Sequence, residues 1–255
     1  MPRAYVNSDT DSSIYPEDAN SMALLFGVAD PSTLTSISNQ LTTNWCPIGA
    51  VAPELPGNII GFGQSFEIKG HIVAGQATRG LDLMRAAWGW NLNNPYSTQS
   101  TFLEGYLSDG SFTYQYPYGY GGDSSYTSHA HGWSTGPTDA LTTYIVGLQL
   151  TQPGGSSWAI APQFGDLTSA EAGFTTPLGQ FQASWNTTPT GYTLSWNTPS
   201  GTTGSLALPV GTSGAINVQI DGQDVQTPTP DNGAVTISGS GGSHDATVTY
   251  AAPSA

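Results

Sequence analysis

Gln152-Pro153-Gly154-Gly155 is where this 255-residue chain changes character. A proline followed by two glycines ends one pattern of apolar residues and opens another. Downstream, short runs alternate apolar with small polar residues, at 181–185, 192–196, 205–208, 215–220, 234–237 and 246–250. Thr188-Pro189-Thr190-Gly191 and Asp221-Gly222 are among the turn clusters that separate them. Regular short strands at this spacing predict an antiparallel β-sandwich over 153–255.

Upstream, over 1–152, the apolar spacing is helical. Residues 17–29 carry Leu24, Leu25 and Val28 on one face. Asp30 is placed to cap a second helix, with Pro31 in its first position and Leu34, Ile37 and Leu41 as its stripe. A second pair is expected at 65–74 and 76–90, stopped by Asn93-Asn94-Pro95, and a last helix at 137–148. Gly70, Gly75 and Gly80 each cost a helix about 1 kcal/mol against alanine. They make sense where backbones approach closely. Helical hairpins joined by aromatic, glycine-rich loops suggest part of a helical barrel or toroid. The expected class is therefore multidomain α and β, a partial toroid followed by a sandwich.

Composition narrows the function. Charged residues are 9% of the chain, against roughly 25% in an average soluble domain. Four cations (Arg3, Lys69, Arg79, Arg85) face 18 acids, a net charge of -14. Such a surface repels phosphate, which argues against nucleic acid and anionic lipid as partners. The longest apolar run, 22–29, is far too short to span a membrane. Uncharged polar residues in place of charge, with a pI near 4.1, suit an extracellular, secreted protein, although the first residues hold no apolar signal core. Cys46, the single cysteine, reads as a small buried hydrophobe.

Nucleotide-binding glycine patterns and the Gly-x-Ser-x-Gly elbow are absent. His129 and His131 lack an obvious third metal ligand, so no metal and no cofactor is expected. Between 96 and 138, Phe112, Tyr114, Tyr116, Tyr118 and Tyr120 recur at every second residue. An extended segment would put all five on one side, either as rings packed under a covering hairpin or as a platform for sugar faces. Glu104 lies between Leu103 and Tyr106 in a stretch without cations. It reads either as a general base in an aromatic cleft or as a partly exposed residue near a helix end.

Four stretches together resemble the C-terminal portion of family 78 α-L-rhamnosidases, fungal-type members in particular. They are Tyr15-Pro16-Glu17-Asp18-Ala19-Asn20-Ser21; Ser65-Phe66-Glu67 with His71 and Gly75-Gln76; Ser100-Thr101-Phe102-Leu103-Glu104-Gly105-Tyr106; and 128–140, which opens Ser128-His129-Ala130-His131-Gly132-Trp133. The resemblance implies later hairpins of an (α/α)6 six-hairpin barrel over 1–152 and the family's C-terminal β-sandwich over 153–255. It implies inverting release of terminal α-L-rhamnose from an oligosaccharide or glycoside. Glu104 would be the general base. His131, Trp133, Tyr106, Trp90 and Glu67 would bind substrate. Leu103 stands where many members have Trp. The general acid belongs to an earlier segment that nothing here matches, so the chain is expected to be a C-terminal part of the enzyme. The alternative is a non-catalytic carbohydrate-binding or structural module.

Overall fold

The computed structural model describes residues 14–117 and 119–251, apart from the side chain of Ser213; Tyr118 lies outside them. The chain divides into two compact units between Ala140 and Leu141. That boundary lies upstream of the 152–155 turn because Ile145, Val146 and Leu148 are buried with the sheet that follows. Trp185 Nε1 donates to Ile145 O there (2.9 Å).

The first unit is built on four helices: α1 (Glu17–Leu25), α2 (Leu34–Leu41), α3 (Gly61–Val73) and α4 (Ala77–Asn93). Pro16, at the N-terminus of α1, supplies no side-chain cap. The Glu54 carboxylate caps α1 from a distance, accepting from Glu17 N (2.9 Å) and Asp18 N (3.2 Å). The helix stops at Leu25 rather than 29, since Gly27 is left-handed (φ +66°) and Val28 N turns back to Ala23 O. Val28 is consequently exposed, not part of the buried face. Asp30 does cap, accepting from Ser32 N (2.8 Å), but Pro31–Thr33 is a 3-10 turn that leads into α2. Ile37 and Leu41 pack against Leu24 as the stripe predicts.

Two of the three glycines expected within helices mark close approach. A Cβ on Gly70 would lie 3.0 Å from Ser21 O of α1, and one on Gly80 would lie 2.8 Å from Ile68 O of α3. Gly75, at φ +74°, makes the corner between α3 and α4. Gly80→Ala is expected to destabilise the first unit by about 1–2 kcal/mol, overpacking outweighing the gain in helix propensity. A urea midpoint that stays put or rises would contradict this close packing.

Two short pairings complete the unit. Strands β1 (Trp45–Cys46) and β2 (Gly49–Ala50) form a hairpin, and β3 (Asn58–Ile60) pairs antiparallel with β4 (Gly105–Leu107), Ile59 opposite Tyr106. Cys46 is half-buried rather than buried, against Ile59, Leu103 and Tyr106. The last predicted helix is short: α5 (Gly136–Ala140) passes into a π-helical stretch, Leu141–Val146, and Leu148 already belongs to a strand.

The second unit is one sheet of eight strands. These are β5 (Leu148–Leu150), β6 (Ser157–Ile160), β7 (Ser169–Thr176), β8 (Gly179–Thr188), β9 (Gly191–Pro209), β10 (Ile216–Ile220), β11 (Gln223–Val225) and β12 (Ala234–Tyr250). One edge of β9 pairs with β12; the other is shared by β8 over its first half and β6 over its second. The six expected runs thus collapse into four strands, because 192–196 with 205–208, and 234–237 with 246–250, are halves of two long strands. Glycine and threonine between the halves support a bulge near Gly242 instead of a turn. The pairing of β6 with β9 is parallel, a departure from the expected all-antiparallel arrangement. Alternate residues (Phe181, Ala183, Trp185; Tyr192, Leu194, Trp196; Leu206, Leu208; Ala246, Val248) are buried. Gly204 and Gly239 leave room for the Trp158 indole, which a Cβ would meet at 2.2 and 2.7 Å.

Candidate active site

Glu104 immediately precedes β4, and Gly61 opens α3 immediately after β3; Gly61 N donates to Glu104 O (3.1 Å). Gly105 is required here, since a Cβ would lie 2.4 Å from the Tyr114 ring. From α4, the buried Asn91 amide bridges the approach to Glu104, donating to Thr101 O (3.3 Å) and accepting from Leu103 N (3.1 Å).

The stretch 100–106 then lies alongside 128–131. Glu104 N donates to Ser128 O (2.8 Å), His131 N to Phe102 O (2.8 Å), and Thr101 Oγ1 to His129 O. The carboxylate is half-buried and held from both sides, accepting from Tyr120 OH at Oε1 (2.7 Å) and from Ser128 N at Oε2 (3.2 Å). The acceptor bond to Glu104 raises the Tyr120 phenol above its usual pKa. Burial, with the Glu104 charge nearby, takes Tyr114 up to about 12.

The remaining motifs meet next to this pairing. Gly136 N donates to Ser65 Oγ (3.2 Å), Trp88 Nε1 donates to Ser134 O (2.7 Å), and a Cβ on Gly61 would strike Ser134 Oγ. Trp133 is 71% exposed and rests on Phe62 (5.2 Å between ring centroids). His131 is half-buried. Trp90 stacks on Tyr106 (4.3 Å, 28°), whose hydroxyl is spent on Ile48 O (2.7 Å). Tyr106 is buried, and burial raises its phenol pKa.

Glu67 is fully buried on α3. Its Oε1 accepts from Trp45 Nε1 (2.6 Å) and from His71 Nε2 (3.1 Å). Arg79 Nη1 donates to Ser38 Oγ (2.8 Å), which is hydrogen-bonded to His71 Nδ1 (2.7 Å), so the ring links Ser38 to Glu67. Glu17, from α1, closes this chain. Its carboxyl pKa is raised well above the ordinary range by burial and by the Glu67 and Glu54 charges. Among the described residues both Glu17 oxygens and Glu67 Oε2 lack any other hydrogen-bond partner, and the two carboxyls bond each other only if one proton lies between them. Glu17 therefore turns inward instead of serving the helix dipole.

The aromatic alternation does not form a strand. Residues 114–117 are turns, with Gln115 at φ +65° and Tyr120 at φ +53°. Their amides are satisfied without a partner strand: Gln115 N donates to the distant Asn58 Oδ1 (2.7 Å) and Tyr116 N to Thr113 O (3.1 Å). Tyr114 is consequently buried while Tyr116 is 54% exposed. Asn58 and Tyr120 are the site residues that sequence reading missed in these roles. Only the placement of a lone asparagine in the apolar run Asn58-Ile59-Ile60 hinted at the first. Tyr120→Phe removes one donor to a charged acceptor, a bond of about 1.5–3 kcal/mol. If Glu104 is the base, kcat falls about 10- to 100-fold with KM little changed; a change confined to KM contradicts this positioning role.

Among the described residues, no group of three or more His, Cys, Asp or Glu side chains gathers to hold a metal, and no helix is long and apolar enough to cross a membrane.

Residues 147–223 match the family model described as the bacterial α-L-rhamnosidase C-terminal domain. No curated protein sequence matches the chain. Among solved structures, it is similar to the Streptomyces avermitilis α-L-rhamnosidase complexed with L-rhamnose, at 16% identity and TM-score 0.67, covering 90% of this chain and 21% of that one. The α-L-rhamnosidase from Dictyoglumus thermophilum is similar at 13% identity and TM-score 0.68, with 98% and 27% covered. The family 78 rhamnosidase of Bacillus sp. GL1 is 26% identical at TM-score 0.50, with 69% and 17% covered. The chain thus spans about a quarter or less of the length of these structures. Residues 147–223 thus match the C-terminal domain of the bacterial α-L-rhamnosidases, and the chain resembles the C-terminal portion of family 78 α-L-rhamnosidases in fold over most of its length.

Proposed function

We propose that this chain contributes the water-activating side of an inverting α-L-rhamnosidase. In this reading the first unit supplies later hairpins of an (α/α)6 toroid and the second its C-terminal β-sandwich. The observation that carries it is the side-by-side pairing of 100–106 with 128–131, which holds the Glu104 carboxylate between two donors. Glu104 takes a proton from water as the water attacks the anomeric carbon. A carboxylic acid from polypeptide outside this chain protonates the departing oxygen, about 6.5–9.5 Å away so that the water fits between them. His131 and Trp133 hold the sugar, and Trp90 borders it. Tyr106 and Glu67, both buried, act from behind the site rather than as contacts. The substrate is a rhamnose-containing oligosaccharide or glycoside, met outside the cell.

Proton NMR of the complete enzyme acting on an aryl α-L-rhamnoside tests this directly. The β-anomer of rhamnose is expected first, with the α-anomer growing in by mutarotation. First release of the α-anomer rejects inversion. Binding of L-rhamnose without turnover points to a non-catalytic module instead.

A further inference from the structure

A groove of about 390 Å³ opens where α4 ends, bounded by Trp90, Asn93, Asn94, Pro95 and Tyr96 on one side and Asp109-Gly110 on the other. Its size falls within the usual range for small-ligand sites. Tyr96 is 84% exposed and makes no ring contact among the described residues, and its backbone is fixed by a bond from its N–H to Asn94 Oδ1 (3.0 Å). Gly110 adopts φ +85°, and a Cβ there would already touch the Trp90 indole at 3.5 Å. A larger side chain would extend over that ring, and glycine leaves its edge open.

The polar groups on the rim are mixed. Asn94 uses its oxygen on Tyr96 and keeps its amide N–H groups available, while Asn93 donates to Gly89 O (2.7 Å) and keeps its oxygen. Asp109 accepts from Ser111 N (2.9 Å), which holds its carboxyl below the usual range and therefore charged. The rim thus offers donors, acceptors and one negative charge, with no cation to bind an anion. Hydroxyl groups, which both donate and accept, match that set, and the apolar C–H face of a sugar ring matches exposed aromatic rings.

We infer that this groove is a second saccharide site, binding a neutral pyranose stacked on Tyr96 beside Trp90, separate from the Glu104 site. The inference touches the rhamnosidase reading only through Trp90. It is tested on the full chain by following the Trp90 indole N–H resonance during titration with L-rhamnose and, in parallel, with D-glucose. The resonance is expected to shift saturably with at least one sugar. Tyr96→Ala should weaken that binding about tenfold, and Trp133→Ala, which removes a sugar contact proposed at the Glu104 site, should leave it unchanged. No shift, or an equal shift in Tyr96→Ala, overturns the groove assignment. Loss of the shift in Trp133→Ala means that there is a single site, at Glu104. A shift produced only by an aryl glycoside rejects the pyranose as occupant. Because this readout needs no turnover, failure of the rhamnosidase reading leaves it intact and separately decidable.

Discussion

Glu104→Gln in the complete enzyme is expected to lower kcat on an aryl α-L-rhamnoside by about 10²–10⁴-fold, the range that a positioned general base contributes. The side chains have nearly the same shape, so the sugar contacts proposed for His131 and Trp133 would persist and KM should change little. The amide oxygen can still accept from Tyr120 OH, leaving the amide nitrogen against Ser128 N. Losing that 3.2 Å bond costs about 1 kcal/mol, a small shift in unfolding midpoint. Chemistry should therefore collapse while the fold persists. Activity near that of the parent would remove Glu104 from the mechanism. A large fall in midpoint would make it a structural residue.

The largest stability effect is expected at Glu67. Replacing it with Leu leaves the half-buried Trp45 indole and the buried His71 Nε2 without that acceptor and strands the Glu17 carboxyl. Breaking a buried polar network from one side costs about 3–5 kcal/mol, readable by urea titration. Glu17→Gln behaves differently, because an amide can donate to Glu67 at any pH. In the parent, Glu17 keeps its proton in the folded state at pH values where the unfolded chain has lost it. The folded form thus binds more protons in that window. Its stability is fully present below the ordinary carboxylate pKa and declines as pH rises through the raised one, by at most about 1.4 kcal/mol per pH unit. Glu17→Gln should flatten this decline; an unchanged slope would show that the proton lies elsewhere.

Local chemistry was legible where a single neighbour decides the outcome. Asp30-Pro31 announced a cap, Leu34, Ile37 and Leu41 a stripe, and Gly70 and Gly80 close helices, and each is found. The Tyr118 part of the aromatic alternation stays outside the described residues, but its neighbours explain why the period-two reading failed. The Asn58 side chain, more than fifty residues away, claims the Gln115 amide that a strand would have used. The same holds for β7. Ser169–Thr176 has one large apolar residue, Phe174, and is a strand because β8 offers it a full ladder. Glu104 was singled out by its chemistry, yet nothing in the spacing told that 128–131 would lie against it. Nothing near Glu17 in the chain marks it as a buried acid, because its buried partner, Glu67, is brought by another helix.

The ladder between β9 and β12 also governs when this protein can form. Gly191 through Pro209 has its longest partner in Ala234–Tyr250, so an emerging polypeptide holds an incomplete sheet until that distant segment is synthesised. Until then β9 presents an open template for any extended strand nearby, including one from a neighbouring copy. Pairings of such long sequence separation also assemble slowly. Yield of native material should accordingly depend on temperature and chaperone supply during expression more than on the final stability of the sheet.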